Sequence, residues 1–285
     1  MALQLAKTQQ LGRKGRCCLY YDGFMTYGSK IYANFAALIF TLNHMIPVEY
    51  KDLGQMEYGD AWTLQESLMK EGLDIKAARH AEPESELAQK AIKQHLFTVE
   101  HPHVYTLGKS GFLENLLINN QRMQELGVSF YKTNRGGDIT YHGPGQMVAY
   151  PVLDLEAFKT DLGWYMRSLE EAIIQTIGHY GIEGMRLPGA TGVWLDADKP
   201  QLARKICAMG VRCSRWITIH GLALNINTDL SYFGHIVPCG ISDKGVTSMV
   251  KELGHKLDQE EVKEVFLSKF AAIFGAKILR ETQEY

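Results

Sequence analysis

The stretch Trp216–Asn227, WITIHGLALNIN, constrains the fold more than any other part of the chain. Its apolar run reads as a buried strand entering a bend relieved by Gly221, a rigid support for whatever the next loop carries. That loop, TDLSYFGHIVPCGI, reaches Cys239 between Pro238 and Gly240. Proline fixes φ and glycine accepts either sign of it, so the backbone turns there and the thiol is presented rather than packed. A lone cysteine usually behaves as a small hydrophobe, so reactivity needs a partner. Lys205 heads a second strand-like run, RKICAMGVR. A lysine beside a thiol stabilises the thiolate or, when neutral, accepts a proton.

The remaining elements alternate. Val48–Gly54 reads as a short strand. Asp60 can cap a helix through Met69 whose apolar residues Ala61, Leu64 and Leu68 recur at three and four, with Gly72 as its stop. Residues 81–93, proline-containing and charged, read as a surface insertion with one solvated helix. Leu96–Leu107 is two strand halves broken at Pro102. The GKS that follows at Gly108–Ser110 is not a phosphate loop, since His103 stands where that motif needs glycine. Thr160–Tyr180 carries an apolar helical stripe. LPGATGVWL (Leu187–Leu195) turns into a strand, and Asp258 with Glu261 starts a helix through Phe274 that Gly275 stops. Strands joined by hairpin-like turns and interleaved with helices predict an α/β (α+β) class: one domain with a mixed β-sheet flanked by helices.

A second informative stretch surrounds Arg135. Val128–Lys132 reads as a strand, Arg135, Gly136 and Gly137 as a turn, and Ile139–Tyr141 as a strand; Gly143, Pro144 and Gly145 then bend the chain. Glycines flanking a short strand let backbone approach a ligand and let amide N–H groups point at it. Arg135, Thr140, Tyr141 and His142 crowd the same bend. For His142 a structural, hydrogen-bonded role and a site role both stay open.

A net charge of −2 argues against a general nucleic-acid binder. Five cysteines, an odd number, suit free thiols in a reducing cytoplasm. A zinc site from Cys207, Cys213, Cys239 and His220 has the right atoms but no C-x-x-C pair. Residues 1–45 read as an N-terminal extension, with Met45 as a natural start; their apolar run FAALIFTL is too short to span a bilayer.

Three segments in this order, RGGDITYHGPGQMVAYPVLDL (Arg135–Leu155), KICAMGVR (Lys205–Arg212) and HGLALNINTDLSYFGHIVPCGI (His220–Ile241), closely resemble the lipoate–protein ligase B family, the octanoyl-[acyl-carrier-protein]:protein octanoyltransferases. The resemblance runs from near Val48 to about the end of the chain, making residues 46–285 the catalytic domain. It implies the fold shared by biotin and lipoate ligases, with Cys239 as acyl-thioester nucleophile and Lys205 as its partner. It carries over as substrate-contacting Arg135, Gly136, Gly137, Asp138, Ile139, Thr140, Tyr141 and His142, then Ala208, Met209 and Gly210, then Gly221, Leu222 and Ala223. It further implies octanoyl-acyl carrier protein as donor and lipoyl domains (2-oxoacid dehydrogenase E2 subunits, the glycine cleavage H protein) as acceptors. No ATP, metal, nucleic acid or membrane is expected to take part. An acidic carrier favours a basic docking patch, for which Arg204, Arg212 and Arg215 are candidates. The alternatives are an ATP-dependent ligase of the same fold, which needs no cysteine, and a non-catalytic carrier-binding module.

Overall fold

A computed structural model of the protein describes residues 45–237 and 244–280. The expected N-terminal extension, up to residue 44, and Cys239 itself therefore lie outside the described residues. From Ile46 onward the chain belongs to one compact unit.

Strand β1 (Ile46–Gln55) leads into helix α1 (Tyr58–Ala81). This helix corrects the expectation of a capped start at Asp60 and a stop at Gly72. It begins earlier, at a Glu57 cap position that makes no side-chain hydrogen bond, and Asp60 lies in its first turn, where a carboxylate suits the helix dipole. It runs through Gly72 because that glycine is a packing site: a Cβ there would stand 2.6 Å from Ile217 Cδ1. Its buried residues, Tyr58, Ala61, Gln65, Met69, Gly72 and Ile75, do recur at three and four. Two of them are a glutamine and a glycine, which is why an apolar stripe understated the helix.

The insertion contains one short helix, Glu86–Gln89, capped by Ser85. Strands β2 (His95–Glu100) and β3 (Val104–Leu107) flank Pro102 and belong to different sheets. The proline, which cannot continue a ladder, is where the chain changes sheet. Next come β4 (Ser129–Lys132), β5 (Ile139–His142) and β6 (Gln146–Val152). Helix α2 (Leu162–Gly178) follows, its first turn capped by Asp161, which accepts from the Trp164 amide at 2.9 Å. β7 (Met185–Leu187) and β8 (Ala190–Leu195) form a hairpin, as do the long strands β9 (Arg204–Ser214) and β10 (Ile217–Asn225). Short β11 (Gly245–Val246), helix α3 (Gln259–Phe274) and β12 (Ala276–Arg280) close the fold. Asp258 caps α3 through the Glu260 amide, and Gly275 ends it at φ +62°.

Among the described residues the large sheet runs β12-β1-β2-β6-β10-β9-β8-β7, with β11 on β9; the small one runs β4-β3-β5. Pairing is parallel for β12/β1, β1/β2, β9/β11 and β3/β4, and antiparallel elsewhere, so the sheet is mixed as expected. All nine residues of β10 are buried, because both faces are covered. Leu222 and Leu224 face a core with Tyr165, Leu169 and Ile173 of α2 and Phe266 and Phe270 of α3. Ile219 and Ala223 face Ala61 and Met69 of α1. The period-two alternation of a strand sorts them.

Candidate active site

A cleft of about 620 Å³ opens where the large sheet's β9 and β10 meet β5 and the Arg135–Gly137 turn. The hairpin register builds its floor. Gly221 pairs with Gly210, Leu222 with Met209 and Ala223 with Ala208, so the hairpin brings the two segments side by side. Glycine permits the close layering. A Cβ on Gly210 would stand 2.6 Å from the Gly136 carbonyl oxygen of the turn above it, and Gly136 N donates to Val211 O at 2.9 Å.

The turn is clasped from the other side by the GKS stretch. Lys109 N donates to Arg135 O at 2.9 Å and Ser110 N to Gly137 O at 3.1 Å. A segment that looks like a fragment of a phosphate loop is thus a backbone brace. Asp138 adds to it, accepting from its own neighbour Ile139 N and from Asn115 Nδ2, each at 2.6 Å.

The cleft walls include Lys205 and the expected contact residues Arg135, Gly136, Gly137, Asp138, Ile139, Thr140, His142, Ala208, Met209, Gly210, Gly221, Leu222 and Ala223. Tyr141 is the exception. Strand alternation turns Thr140 and His142 toward the cleft and Tyr141 away, into the core of the small sheet, where its hydroxyl meets His103 Nδ1 at 2.7 Å and its ring stacks on Tyr232. Apolar cover comes from Phe112, Met166, Val148, Phe233 and Val246. Such walls suit an alkyl chain.

Lys205 sits at the head of β9, opposite Trp194 of β8 and Val246 of β11. Its ammonium lies 4.6 Å from the centroid of the Trp194 ring, a cation–π contact, and its stem passes over Gly192. Gly192 N is held by the buried Glu170 carboxylate, which Arg167 and Arg186 also engage.

Further polar residues line or brace the walls. His142 Nδ1 donates to Gln146 Oε1 at 2.8 Å, and Gln146 Nε2 donates to Asn225 Oδ1 at 2.8 Å. His101 Nδ1 donates to Met56 O and its Nε2 accepts from the Tyr150 hydroxyl, both at 2.7 Å. Arg135, nearly buried, donates through Nη2 to Thr106 O at 2.6 Å and Oγ1 at 2.9 Å. Tyr58, Tyr150 and His220 also line the cleft. Gln146, Asn225 and His220 fall inside the quoted motifs, so their neighbours pointed to them. Tyr58 carries no such signal, arriving through the unexpected first turn of α1.

Burial pushes the histidine pKa values down, to about 4 for His101, about 3 for His142 and about 3 for His220. His101 adds to the effect at His142, and Arg135 at His220. In the unfolded chain a histidine takes up its proton near pH 6.5. Below that pH the unfolded state binds more protons than the folded one, so stability falls as pH falls toward the folded values. Each group contributes a loss of about 1.4 kcal/mol per pH unit in that window. The urea midpoint is therefore expected to drop markedly between about pH 7 and about pH 5; an unchanged midpoint would mean that the folded rings titrate at the unfolded value.

Segment 238–243, with Cys239, lies outside the described residues, but both of its flanks reach the cleft. Val237 N donates to the carbonyl of the wall residue Asn115 at 2.8 Å, and Val246 lies in the wall. Cys207 and Cys213 stand six positions apart on β9, which is about 20 Å along a strand. They cannot share a zinc ion, and no cluster of three metal-binding side chains occurs among the described residues. The basic trio is likewise spread along β9 and its turn: Arg204 pairs with Asp196 and Glu252, Arg212 with Glu66, and Arg215 lies beyond the strand's far end. Among the described residues no helix is long and apolar enough to cross a membrane.

A family model described as the lipoyl protein ligase A/B catalytic domain matches residues 57–271. An octanoyltransferase of Flavobacterium johnsoniae is 53% identical over 233 residues, covering 81% of this chain and 98% of the relative. One from Christiangramia forsetii is 52% identical over 232 residues, covering 81% and 97%. Among solved structures, a bi-partite lipoate protein ligase from Thermoplasma acidophilum, studied with its E2 lipoyl domain, superposes with a TM-score of 0.58 at 15% identity over 84% of this chain and 88% of that one.

Proposed function

Because the chain belongs to the lipoyl protein ligase A/B catalytic-domain family and is an acyltransferase like its octanoyltransferase relatives, we propose that residues 46–285 move octanoyl from octanoyl-acyl carrier protein to a lysine of lipoyl domains through a thioester on Cys239. The observation that carries this reading is the cleft itself: apolar walls sized for a short alkyl chain, backbone at close range, and Lys205 at its edge, with both flanks of the Cys239 segment attached. Cys239 is two positions after Val237, no more than about 7 Å of extended chain.

In the first half-reaction the Cys239 thiolate attacks the donor thioester, the new C–S bond replaces the old one, and the carrier sulfur leaves as a thiolate that takes its proton from the Lys205 ammonium. One thioester replaces another, so the exchange is near thermoneutral and needs no ATP. In the second half the lysine amine attacks the acyl-enzyme. The C–N bond forms, the C–S bond breaks, and the amine's proton passes through Lys205 to the departing thiolate. Backbone amides of the glycine-rich walls are available to the oxyanion. No step requires a metal. The free thiols fit a cytoplasmic reaction.

An ammonium beside the thiol favours thiolate. Lys205→Ala is accordingly expected to slow acylation by about 10²-fold or more at neutral pH and to move its rate profile to higher pH; an unmoved profile would separate Lys205 from the thiol. The reading as a whole is tested by intact-protein mass after mixing with octanoyl-acyl carrier protein without ATP. A hydroxylamine-labile octanoyl adduct is expected. No adduct, with lipoyl-domain modification only when ATP and free octanoate are supplied, would make the protein a ligase.

A further inference from the structure

Among the described residues eight large apolar side chains stand exposed, and three of them fall within six positions: Phe112 at 70%, Leu113 at 56% and Leu117 at 58%. The other five stand singly along the sequence, which is ordinary for a protein surface. The trio is not required by the core. Leu116 and Ile118, on either side of Leu117, pack against the core of the small sheet, while Leu117 and Leu113 remain at the surface. The segment is nonetheless firmly held. Leu113–Asn115 is a 3₁₀ turn, Asn115 Nδ2 donates to Asp138 Oδ2 at 2.6 Å, and Leu117 N donates to His235 O at 2.9 Å. Apolar groups already fixed in place lose little further freedom when a partner covers them.

The same bonds set the place of this segment beside the cleft. Leu116 forms an antiparallel bridge with Ile236, Val237 N donates to Asn115 O at 2.8 Å, and Phe112 is part of the cleft wall. Cys239 follows Val237 by two positions, at most about 7 Å of chain, so an acyl-enzyme on Cys239 stands next to Phe112–Leu117.

Two observations say which protein substrate fits here. The first is reach. An acyl carrier presents its thioester at the end of a long prosthetic arm, which lets its body stay back from the mouth. The acceptor amine ends a four-carbon stem, so the backbone of the acceptor domain has to come down onto the surface around the acyl-enzyme. The second is charge. Within residues 108–118 the charged side chains are Lys109 and Glu114, one of each sign and both exposed. An acidic carrier calls for a basic patch, which this apolar surface does not offer.

We propose that Phe112, Leu113 and Leu117 form the docking surface for the lysine-bearing acceptor domain, which covers them with apolar residues beside its lysine. The inference rests on the acyl-transfer reading above and adds where the second protein substrate sits. Removing the trio from water supplies binding energy. Because the same segment is bonded to the flank of Cys239, docking there also orients the lysine toward the acyl-enzyme.

Leu113→Ser and Leu117→Ser, singly and together, test this while leaving Phe112 and the rest of the cleft wall in place. Neither leucine is in the core, so the melting temperature of the parent is expected for both. On the full chain, acyl-enzyme formation from octanoyl-acyl carrier protein is timed first. Transfer from the preformed acyl-enzyme is then followed against the concentration of a lipoyl domain and, separately, of a small amine, Nα-acetyl-lysine methylamide. The double variant is expected to raise the half-saturating lipoyl-domain concentration by about 10- to 100-fold, with acylation, the limiting transfer rate and the small-amine rate each within about twofold of the parent. An unchanged half-saturating concentration would overturn the assignment. So would a comparable loss in acylation, which would give the surface to the carrier, or a comparable loss toward the small amine, which would mean that the leucines shape the site itself. A parent protein that forms no acyl-enzyme would overturn the function reading and this inference with it, a result visible before any variant is made.

Discussion

Cys239→Ser is expected to form no octanoyl adduct and to lose transfer activity by about four orders of magnitude or more, the scale seen when a covalent nucleophile is removed from a preorganised site. The substitution keeps a similar shape and a hydrogen-bonding group. What it removes is an acidic leaving and attacking group: an ammonium such as Lys205 can hold a thiolate at neutral pH but not an alkoxide. Intact mass, with hydroxylamine treatment of the parent as the control for a thioester, reads the result directly. A labile adduct that persists in the variant would put the nucleophile elsewhere, and the described thiols are poor substitutes. Cys207 is fully buried in β9 with its pKa driven far up by burial, and burial also raises that of Cys213.

Gly221→Ala is expected to destabilise the protein by about 3 kcal/mol, the upper part of the range for overpacking, because the added methyl would overlap the Ala149 carbonyl oxygen of the neighbouring strand β6. Backbone in the middle of a sheet cannot swing aside as the end of a long side chain can. For a domain of this size the melting temperature should fall by roughly 6–12 °C. The same substitution at Gly178, the last residue of α2, meets nothing within 4 Å and is expected to be neutral or stabilising by up to about 1 kcal/mol. Urea unfolding of both variants checks the contrast. A Gly221→Ala protein as stable as the parent would mean that β10 and β6 can part without cost.

Where an element's signal is local, the sequence was a good guide. The break at Pro102, the Asp258 cap, the Gly275 stop and the buried strand through Gly221 all lie close to where their residue types put them. Helix α1 was understated because its inward stripe includes Gln65 and Gly72, whose burial depends on partners in β10: Gln65 receives the His220 amide, and Gly72 makes room for Ile217. Tyr141 was placed with the contact residues because its motif neighbours are there; strand alternation sends it to the opposite face. Arg204, Arg212 and Arg215 are close in number, yet an extended strand carries them apart.

By itself, then, the sequence determined many of the strands and helices, the alternation of side chains along a strand, and, through three motifs, the family. These depend on backbone dihedral preferences, on period-two and period-3.6 patterning, and on residue types that lie within one segment. Only the tertiary structure decided that Gly210 lies against Gly136, that the GKS stretch braces the Arg135 turn, and that Arg212, Glu66, Asn134 and His220 form one hydrogen-bonded chain. Each of these joins residues from separate elements. Strand register and helix docking are set by burial and close approach across the whole core, and no window of sequence contains both sides of such a contact.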